Sequence, residues 1–391
     1  MPVARAADVL VAGASVRGLA QSASRAGFRV AAIDAYGDLD LLACAHTVAL
    51  RRDLGVGYTA DAAASAARTI AAAAVAYASN FENHPAAVER LAAGRTLLGN
   101  PPAVLAEVRN PVALARALAR RGFAVPAVRA SVPRHAGGRQ WLRKPRNSGG
   151  GHGIARWRPG GPLPKGTYLQ ERIAGIPGSI VFVADGRRAV PLGLSRQLVG
   201  DRTFGAQGFR YCGNILAGGR PELFEAEAQV ADTAARLAQA VTEMFGLVGV
   251  NGIDFVARGG VPYPIEVNPR YSASMELVER AHGVCIFALH AAACRGALED
   301  PGTYMRTQSV LVGKAIVYAR SEVIMGQTRR WLPGESVRDI PHPGESFAAG
   351  QPICTVLARG ATLRTCRTAL ARRAARVYAA ARMARAERSV A

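Results

Sequence analysis

The sequence predicts an α/β protein that opens with a doubly wound parallel sheet and continues into further domains. Residues 8–13 (DVLVAG) read as a buried strand, and a helical stretch and a second strand ending at Asp34 follow. This strand, helix and strand order is typical of a doubly wound sheet. The 391 residues are also too many for one ordinary core. Later in the chain, two short alternating runs around ArgGlyGly at 258–260 predict an antiparallel hairpin.

The N-terminal turn and the strand after it define the first domain. Gly13, Ser15 and Gly18 depart from the GxGxxG pattern, so they predict a tight strand-to-helix turn rather than a dinucleotide site. The run 74–79 predicts a further strand, and Glu82 and His84 follow its carboxyl end, where open α/β sheets bind ligands. These two residues could equally belong to a loop surface. The breaker cluster GNPP at 99–102 predicts the end of this domain near residue 103.

The strong positive charge raises the question of a nucleic-acid partner. The formal net charge is +21 and the pI is about 10.8. However, the excess consists almost entirely of scattered arginines, and no RNA-recognition, zinc-finger or basic-zipper pattern accompanies it. The composition therefore disfavours nucleic acid as a partner. Only the tail from Arg364 to Arg388 is dense enough to suggest an anionic partner.

Cysteine spacing and hydropathy bear on the cellular compartment. The six cysteines form no CxxC pair and have no histidine at zinc-ligand spacing, so we expect neither disulfides nor a structural metal. The most membrane-like stretch, 60–78, is interrupted by Asp61 and Arg68, and the N-terminus lacks a long apolar signal region. We therefore expect a cytoplasmic protein without a membrane span.

A lysine and a glycine-rich loop predict a phosphate site. In WLRKPRNSGGGHGI (141–154), a strand delivers Lys144, and a loop follows that contains Ser148, Gly149, Gly150, Gly151 and Gly153. Glycines let backbone N–H groups approach phosphate oxygens, and a lysine supplies a point charge. The lysine precedes the glycines, so this is not a Walker A loop. A flexible linker is the alternative, but the chain has only two other lysines, at 165 and 314.

The hairpin predicts two facing carboxylates. In YPIEVNPR (263–270), Glu266, Asn268 and Arg270 share one strand face. A solvated strand face would give the same alternation. If the turn lies at Gly260, Asp254 of NGIDFVA (251–257) falls opposite Glu266, with their Cβ atoms roughly 5 Å apart. Because like charges in this position destabilise a sheet, a cation is expected between them.

Four motifs in order give the chain a family resemblance. KPRNSGGGHGI, the strand-and-hinge segment YLQERIAG (168–175), NGIDFV and IEVNPR resemble the motifs of the ATP-grasp superfamily of carboxylate–amine ligases and related carboxylases. The chain is most similar to the carboligase branch related to biotin carboxylase. This resemblance implies a three-part architecture. It comprises an N-terminal Rossmann-like doubly wound parallel sheet (1–103), a central α+β ATP-grasp domain (104–303) and a small C-terminal β-rich cap with a basic helical tail (304–391).

The resemblance also implies roles for individual residues. Lys144 and Arg270 would be catalytic, with Lys144 on the ATP phosphates and Arg270 on the transferred phosphoryl group. The remaining ATP contacts would be Ser148, Gly149, Gly150, Gly151 and Gly153 in the loop and Gln170, Glu171 and Ile173 at the adenine. Magnesium, with manganese as an alternative, would lie on Asp254, Glu266 and Asn268. The substrate contacts would be Glu82, Arg196 and Arg210.

Three functions remain open at this stage. The leading hypothesis is an ATP-dependent ligase that joins a small-molecule carboxylate to an amine through an acyl phosphate and releases ADP and phosphate. Its pathway, by resemblance, would be the biosynthesis of one-carbon carrier cofactors of the methanopterin or methanofuran type. The second is a carboxylase that uses bicarbonate with a separate biotin carrier, since the chain has no Met-Lys biotin-attachment motif. The third is a basic nucleic-acid-binding protein. A homodimer is left open.

Overall fold

The computed structural model describes residues 6–133, 138–217, 223–298, 305 and 310–388, with the backbone alone for 382–388. Its β-strands are β1 Ala7–Ala12, β2 Val30–Asp34, β3 His46–Ala49, β4 Ala72–Tyr77, β5 Thr96–Leu98, β6 Val128–Arg129, β7 Trp141–Pro145, β8 Ala155–Trp157, β9 Thr167–Glu171, β10 Ile176–Asp185, β11 Ala189–Val199, β12 Tyr211–Leu216, β13 Val248–Arg258, β14 Val261–Asn268, β15 Leu311–Tyr318, β16 Val323–Ile324, β17 Val337–Arg338, β18 Ser346–Phe347 and β19 Pro352–Gly360. Its α-helices are α1 Arg17–Arg25, α2 Leu39–Leu42, α3 Leu50–Asp53, α4 Ala60–Ala66, α5 Pro85–Ala92, α6 Pro102–Val108, α7 Pro111–Arg120, α8 Glu227–Phe245, α9 Met275–His282, α10 Ile286–Cys294 and α11 Leu363–Arg388.

The N-terminal sheet is parallel and doubly wound, as predicted. Its strand order is β3-β2-β1-β4-β5. The order reverses between β1 and β4, and ligands bind at the carboxyl ends of the strands flanking such a reversal. The turn after β1 depends on Gly13, since a Cβ there would lie 3.0 Å from the Ser79 carbonyl oxygen after β4. The backbones after the two strands therefore lie close together at the mouth of this crevice.

Three antiparallel sheets contain the remaining strands of the described chain. The four-stranded sheet, in the order β6-β9-β7-β8, carries the lysine strand β7 and the hinge strand β9. The largest has eight strands in the order β14-β13-β10-β11-β12-β15-β19-β17, and β16 pairs with β18 alone. Helix α8 packs against β10 and β11, whereas α10 packs against β13 and β10. The alternating apolar residues of the central strands are thus covered by helices.

The C-terminal segment is β-rich, and its strands β15 and β19 extend the central sheet through β12. Helix α11 covers β19 and β15 with its buried residues Cys366, Leu370, Ala374 and Val377. The predicted boundary at 103 falls in the first turn of α6. The predicted boundary at 303/304 lies outside the described residues.

The N-terminal and central parts are joined by buried polar contacts. Asn100 donates from Nδ2 to Asn251 Oδ1 (2.8 Å) and to the Pro269 carbonyl (3.1 Å), and its Oδ1 accepts from the Val248 N–H (2.9 Å). Because buried amides need such partners, this residue fixes the end of β14 against the first domain.

No single helix in the described ranges is long and apolar enough to cross a membrane. Taken together, α9 and α10 have the length and apolar composition of a membrane span, but the pair is bent by 116°. All six cysteines are free.

Candidate functional site

A cavity of about 900 Å³ lies where the three parts of the chain meet. We divide its lining into two groups by their mutual contacts. The nucleotide side consists of Lys144, Ser148–Gly151, Gln170, Ile173, Asp254 and Glu266. The junction side consists of Ser15, Arg17, Tyr271, Glu276, Lys314 and Asp339. A cavity of this size can enclose a nucleotide and further substrate atoms.

The lysine of the glycine motif points into this cavity. Strand β7 carries Lys144, whose Nζ donates to Gln170 Oε1 (3.1 Å), and Gln170 Nε2 donates to the Ile265 carbonyl (3.2 Å). Lys144 is buried beside Glu266. Burial by itself would raise the pKa of Glu266, but Arg109 and Lys144 outweigh it and hold that pKa below its ordinary value. Glu266 is therefore ionised next to a fixed cation.

Asp254 and Glu266 face each other across the β13–β14 hairpin, in the register that the sequence predicts. Burial, and secondarily the charge of Glu266, raise the pKa of Asp254 to about 7. Asn268 Nδ2 donates to Asp254 Oδ2 at 3.1 Å. Two carboxylates forced together in a buried position need a cation to neutralise them.

These residues fit a magnesium ion that is shared with phosphates. Among the described residues, no group of three or more His, Cys, Asp or Glu side chains could hold a metal. Magnesium usually takes one or two carboxylates and completes its shell with waters and substrate phosphates. Asp254, Glu266 and Asn268 supply that smaller set of oxygen ligands.

Arg270 is held between the two sides by a buried glutamate. Its Nη2 donates to Glu82 Oε1 at 2.7 Å and reaches Asn268 Oδ1 at 3.4 Å. Its Nε has no partner among the described residues. Burial would lower the pKa of Arg270, but Glu82 raises it overall, so the guanidinium remains charged. This leaves an N–H donor available for an anion in the cavity.

The glycine loop rests on the segment that leads into β12. The Gly150 carbonyl accepts from the Tyr211 N–H (3.0 Å), and Ser148 Oγ donates to the His152 carbonyl (2.7 Å). Gly151 has a φ of +79°, and a Cβ built there would lie 1.9 Å from the Phe209 carbonyl oxygen. Only glycine permits this approach, which brings the loop over the cavity.

We expect Gly151→Ala to lower ATP-dependent turnover by about 10²-fold, because the added methyl group must displace the loop from Phe209. Gly149→Ala is the matched control, since its Cβ would meet nothing within 4 Å. Initial rates at varied ATP concentration measure both variants. Equal rates for the two variants would show that the loop position does not matter for turnover.

The other predicted nucleotide contacts lie at the hinge after β9. Gln170, Glu171 and Ile173 all line the cavity. The Glu171 carboxylate also accepts from the Ala127 N–H at 3.1 Å, so part of that side chain is committed to the backbone. The hinge thus offers an apolar wall and backbone groups to a planar ring.

The three predicted substrate contacts lie outside the described cavity lining, so their role stays a prediction. Glu82 is only 1% exposed and lies behind Arg270 as its ion-pair partner. Arg196 is half-buried, and burial and Arg367 lower its pKa. Arg210 donates to the Gly350 carbonyl and stacks over the Tyr318 ring, 4.9 Å from its centroid. Arg210 also approaches Nδ1 of His152, a residue of the cavity lining, at 3.3 Å.

A family model described as an ATP-grasp domain matches residues 108–274. The central segment of the chain thus matches the ATP-grasp family. This match spans both the lysine–glycine motif and the hairpin of facing carboxylates, and it confirms the family prediction. The ATP-grasp segment begins in α6 and ends just before α9.

Solved structures resemble the chain over most of its length. Pyruvate carboxylase of Rhizobium etli has a TM-score of 0.71 at 15% identity, covering 94% of this chain and 37% of that one. The L-amino acid ligase of Bacillus licheniformis has a TM-score of 0.63 at 13% identity, covering 96% of this chain and 98% of that one. At such identities, the likeness concerns the ATP-grasp fold alone.

In sequence, the chain is similar to an uncharacterised protein of Methanocaldococcus jannaschii, with 29% identity over 121 residues. The matched segment spans 30% of this chain and 28% of that protein. The chain thus spans less than a third of the length of this curated relative.

Arg109 also lines the cavity and contacts the nucleotide side, but the sequence does not predict it. Arg109, directly after α6, donates from Nη1 to the Val267 carbonyl (2.9 Å) and approaches Glu266 Oε2 at 3.5 Å. Its Nη2 reaches Asn83 Oδ1 (2.9 Å) and the Ser148 carbonyl (3.4 Å). It therefore links the first domain, the glycine loop and strand β14. Nothing local distinguishes it from the many other arginines.

The sequence also does not predict the junction side of the cavity. Arg17 forms a two-point ion pair with Glu276, Nη1–Oε1 at 2.6 Å and Nη2–Oε2 at 3.0 Å. Lys314 Nζ donates to Glu276 Oε2 (2.8 Å), and Asp339 Oδ1 accepts from Arg17 Nε (2.9 Å). The four residues come from α1, α9, β15 and the segment after β17. Domain packing alone brings these charges together.

Proposed function

We propose that this protein is an ATP-dependent ligase that activates a substrate carboxylate with the γ-phosphoryl group of magnesium-bound ATP and then joins it to an amine. The observation that carries the proposal is the facing pair Asp254 and Glu266 in one cavity with Lys144 and Arg270. Phosphoryl transfer requires chiefly positioning and charge neutralisation, and this set supplies both.

Each group of residues has a role in this proposal. Lys144 and the backbone N–H groups of Gly149–Gly151 hold the phosphates, with Ser148 and Gly153 shaping the loop. Gln170, Glu171 and Ile173 receive the adenine. Asp254, Glu266 and Asn268 hold magnesium, which supplies positive charge to the phosphate oxygens when bound. Arg270, whose Nε is buried without a partner among the described residues, would donate to the oxygens that gain charge during transfer.

The proposed reaction has two steps. An oxygen of the substrate carboxylate attacks the γ-phosphorus, the bond to the β–γ bridging oxygen breaks, and ADP leaves. The amine nitrogen then attacks the acyl carbon, the bond from that carbon to the phosphate-bearing oxygen breaks, and inorganic phosphate leaves with the amine proton released to solvent. In this proposal the acceptor is the bound substrate carboxylate, and the glycine loop would shield the acyl phosphate from water.

Hydroxamate formation tests this proposal. A panel of carboxylic acids is supplied with ATP, magnesium and hydroxylamine in place of the amine, and the coloured iron complex of the product is measured. The panel includes acids from the cytoplasmic synthesis of one-carbon carrier cofactors, because such carriers contain amide-linked or glutamyl groups. We expect one acid class to give hydroxamate and ADP in equal amounts. ADP release that is stimulated by bicarbonate alone would instead indicate the carboxylase, the second candidate, which the fold likeness to pyruvate carboxylase favours.

A further inference from the structure

The cations on the junction side are already neutralised within the protein. Arg17 uses four N–H contacts, to Asp339, to both oxygens of Glu276 and to Gln21. Its side chain is 2% exposed, and those of Glu276 and Lys314 are 5% and 6% exposed. Each of these three residues therefore already has a partner of opposite charge, although Lys314 keeps N–H groups for a ligand.

Asp339 is the charged group of this side that remains accessible. Its side chain is 21% exposed, several times more than those of its neighbours. It has a φ of +54°, a region that Asp and Asn tolerate better than most residues. Two backbone N–H groups at 339 and 340 donate to Asp40 (3.1 and 2.9 Å) and fix this turn against the first domain. Despite burial, Arg17 and Lys314 keep its pKa below the ordinary value, so it presents a carboxylate.

Two further groups offer N–H or O–H donors to an anion. The Tyr271 hydroxyl is buried without a partner among the described residues, and it lies against Gly18, where a Cβ would be 3.2 Å away. Lys314 donates one hydrogen bond to Glu276, and an ammonium has three N–H groups. A buried hydroxyl without a partner costs free energy, which a bound ligand would offset.

We propose that the amine substrate is an amino acid zwitterion, with its ammonium on Asp339 and its carboxylate on Lys314 and Tyr271. This inference rests on the proposed ligase function and names the class of amine that the junction side binds. The charge of the site and the ligand balance, because Arg17 and Glu276 neutralise each other. The alternative is that the cluster only joins the three parts of the fold.

Three small probes of matched size separate these alternatives. L-Alanine carries both charges, ethylamine carries only the ammonium, and propionate carries only the carboxylate. Binding is measured by saturation-transfer NMR on the full chain loaded with magnesium and a non-hydrolysable ATP analogue. Probes with so few atoms are expected to bind in the millimolar range.

We expect alanine to bind best, ethylamine more weakly and propionate most weakly. Asp339→Asn, which suits the same backbone conformation, should weaken alanine and ethylamine by about tenfold or more. Lys314→Met and Tyr271→Phe should weaken alanine and leave ethylamine unchanged. Tyr271→Phe should not lower the melting temperature of the unliganded protein, because it removes a hydroxyl that lacks a partner.

Several outcomes would overturn the inference. They are propionate binding as tightly as alanine, no saturation transfer to alanine, or unchanged ethylamine binding in Asp339→Asn. Lys165→Met, a change at an exposed lysine, is the control for Lys314→Met. Hydroxamate formation is measured separately, so a failure of the ligase proposal shows as absent hydroxamate in the wild-type protein, whatever the probes bind.

Discussion

Glu266→Gln should reduce magnesium-ATP-dependent turnover by about 10³-fold, on the order of 4 kcal/mol of transition-state stabilisation. The change removes one of the two charges that hold the metal opposite Asp254. Asp254→Asn should have a similar effect on turnover. Initial rates of ADP formation at saturating magnesium measure both variants.

Asp254→Asn should also keep or increase the stability of the metal-free protein. It relieves the repulsion from Glu266 and leaves the contacts of Glu266 with Arg109 and Lys144 in place, so the melting temperature without magnesium should not fall. This opposite response of activity and stability distinguishes a metal site from a structural ion pair. Glu243→Gln, on an exposed face of α8, is the control and should change neither. Wild-type turnover in Glu266→Gln would remove the metal assignment.

Lys144→Arg should lower turnover by about 10²-fold, although it preserves the charge. Lys144 is buried and its Nζ is fixed by Gln170, so the larger planar guanidinium does not fit the position of the compact ammonium. Lys144→Met should be at least as severe. Rates at varied ATP concentration separate weakened binding from a slower chemical step.

Lys165→Arg provides the matched control, since Lys165 is exposed and lies outside the described cavity lining. We expect it to behave as the wild-type protein. Equal activity of Lys144→Arg and Lys165→Arg would favour reading the glycine-rich stretch as a linker.

The nucleotide side could be predicted because its chemistry lies in short, contiguous segments. Strand alternation placed Glu266, Asn268 and Arg270 on one face, and the turn at Gly260 fixed Asp254 opposite Glu266. Lys144 stood out because lysine is rare in this chain. Such local signals survive in any tertiary context, since they depend on strand geometry alone.

The junction side could not be predicted for the opposite reason. Arg17, Glu276, Lys314 and Asp339 are far apart in sequence, and only the packing of three parts brings them together. The abundance of arginine also conceals which of them line the cavity: Arg109 does, whereas the sequence points to Arg196 and Arg210. Glu82 was correctly placed at a strand end, but its burial against Arg270 depends on the docking of β14.

The nucleotide product of turnover tests the central claim most directly, because transfer of the γ-phosphoryl group and transfer of the nucleotide leave different phosphates. Phosphorus NMR of a reaction with ATP, magnesium and the responsive carboxylic acid resolves all four species. The account predicts ADP and inorganic phosphate in equal amounts, dependent on the acid and absent in Glu266→Gln. AMP and pyrophosphate would show adenylation of the carboxylate and would contradict an acyl phosphate.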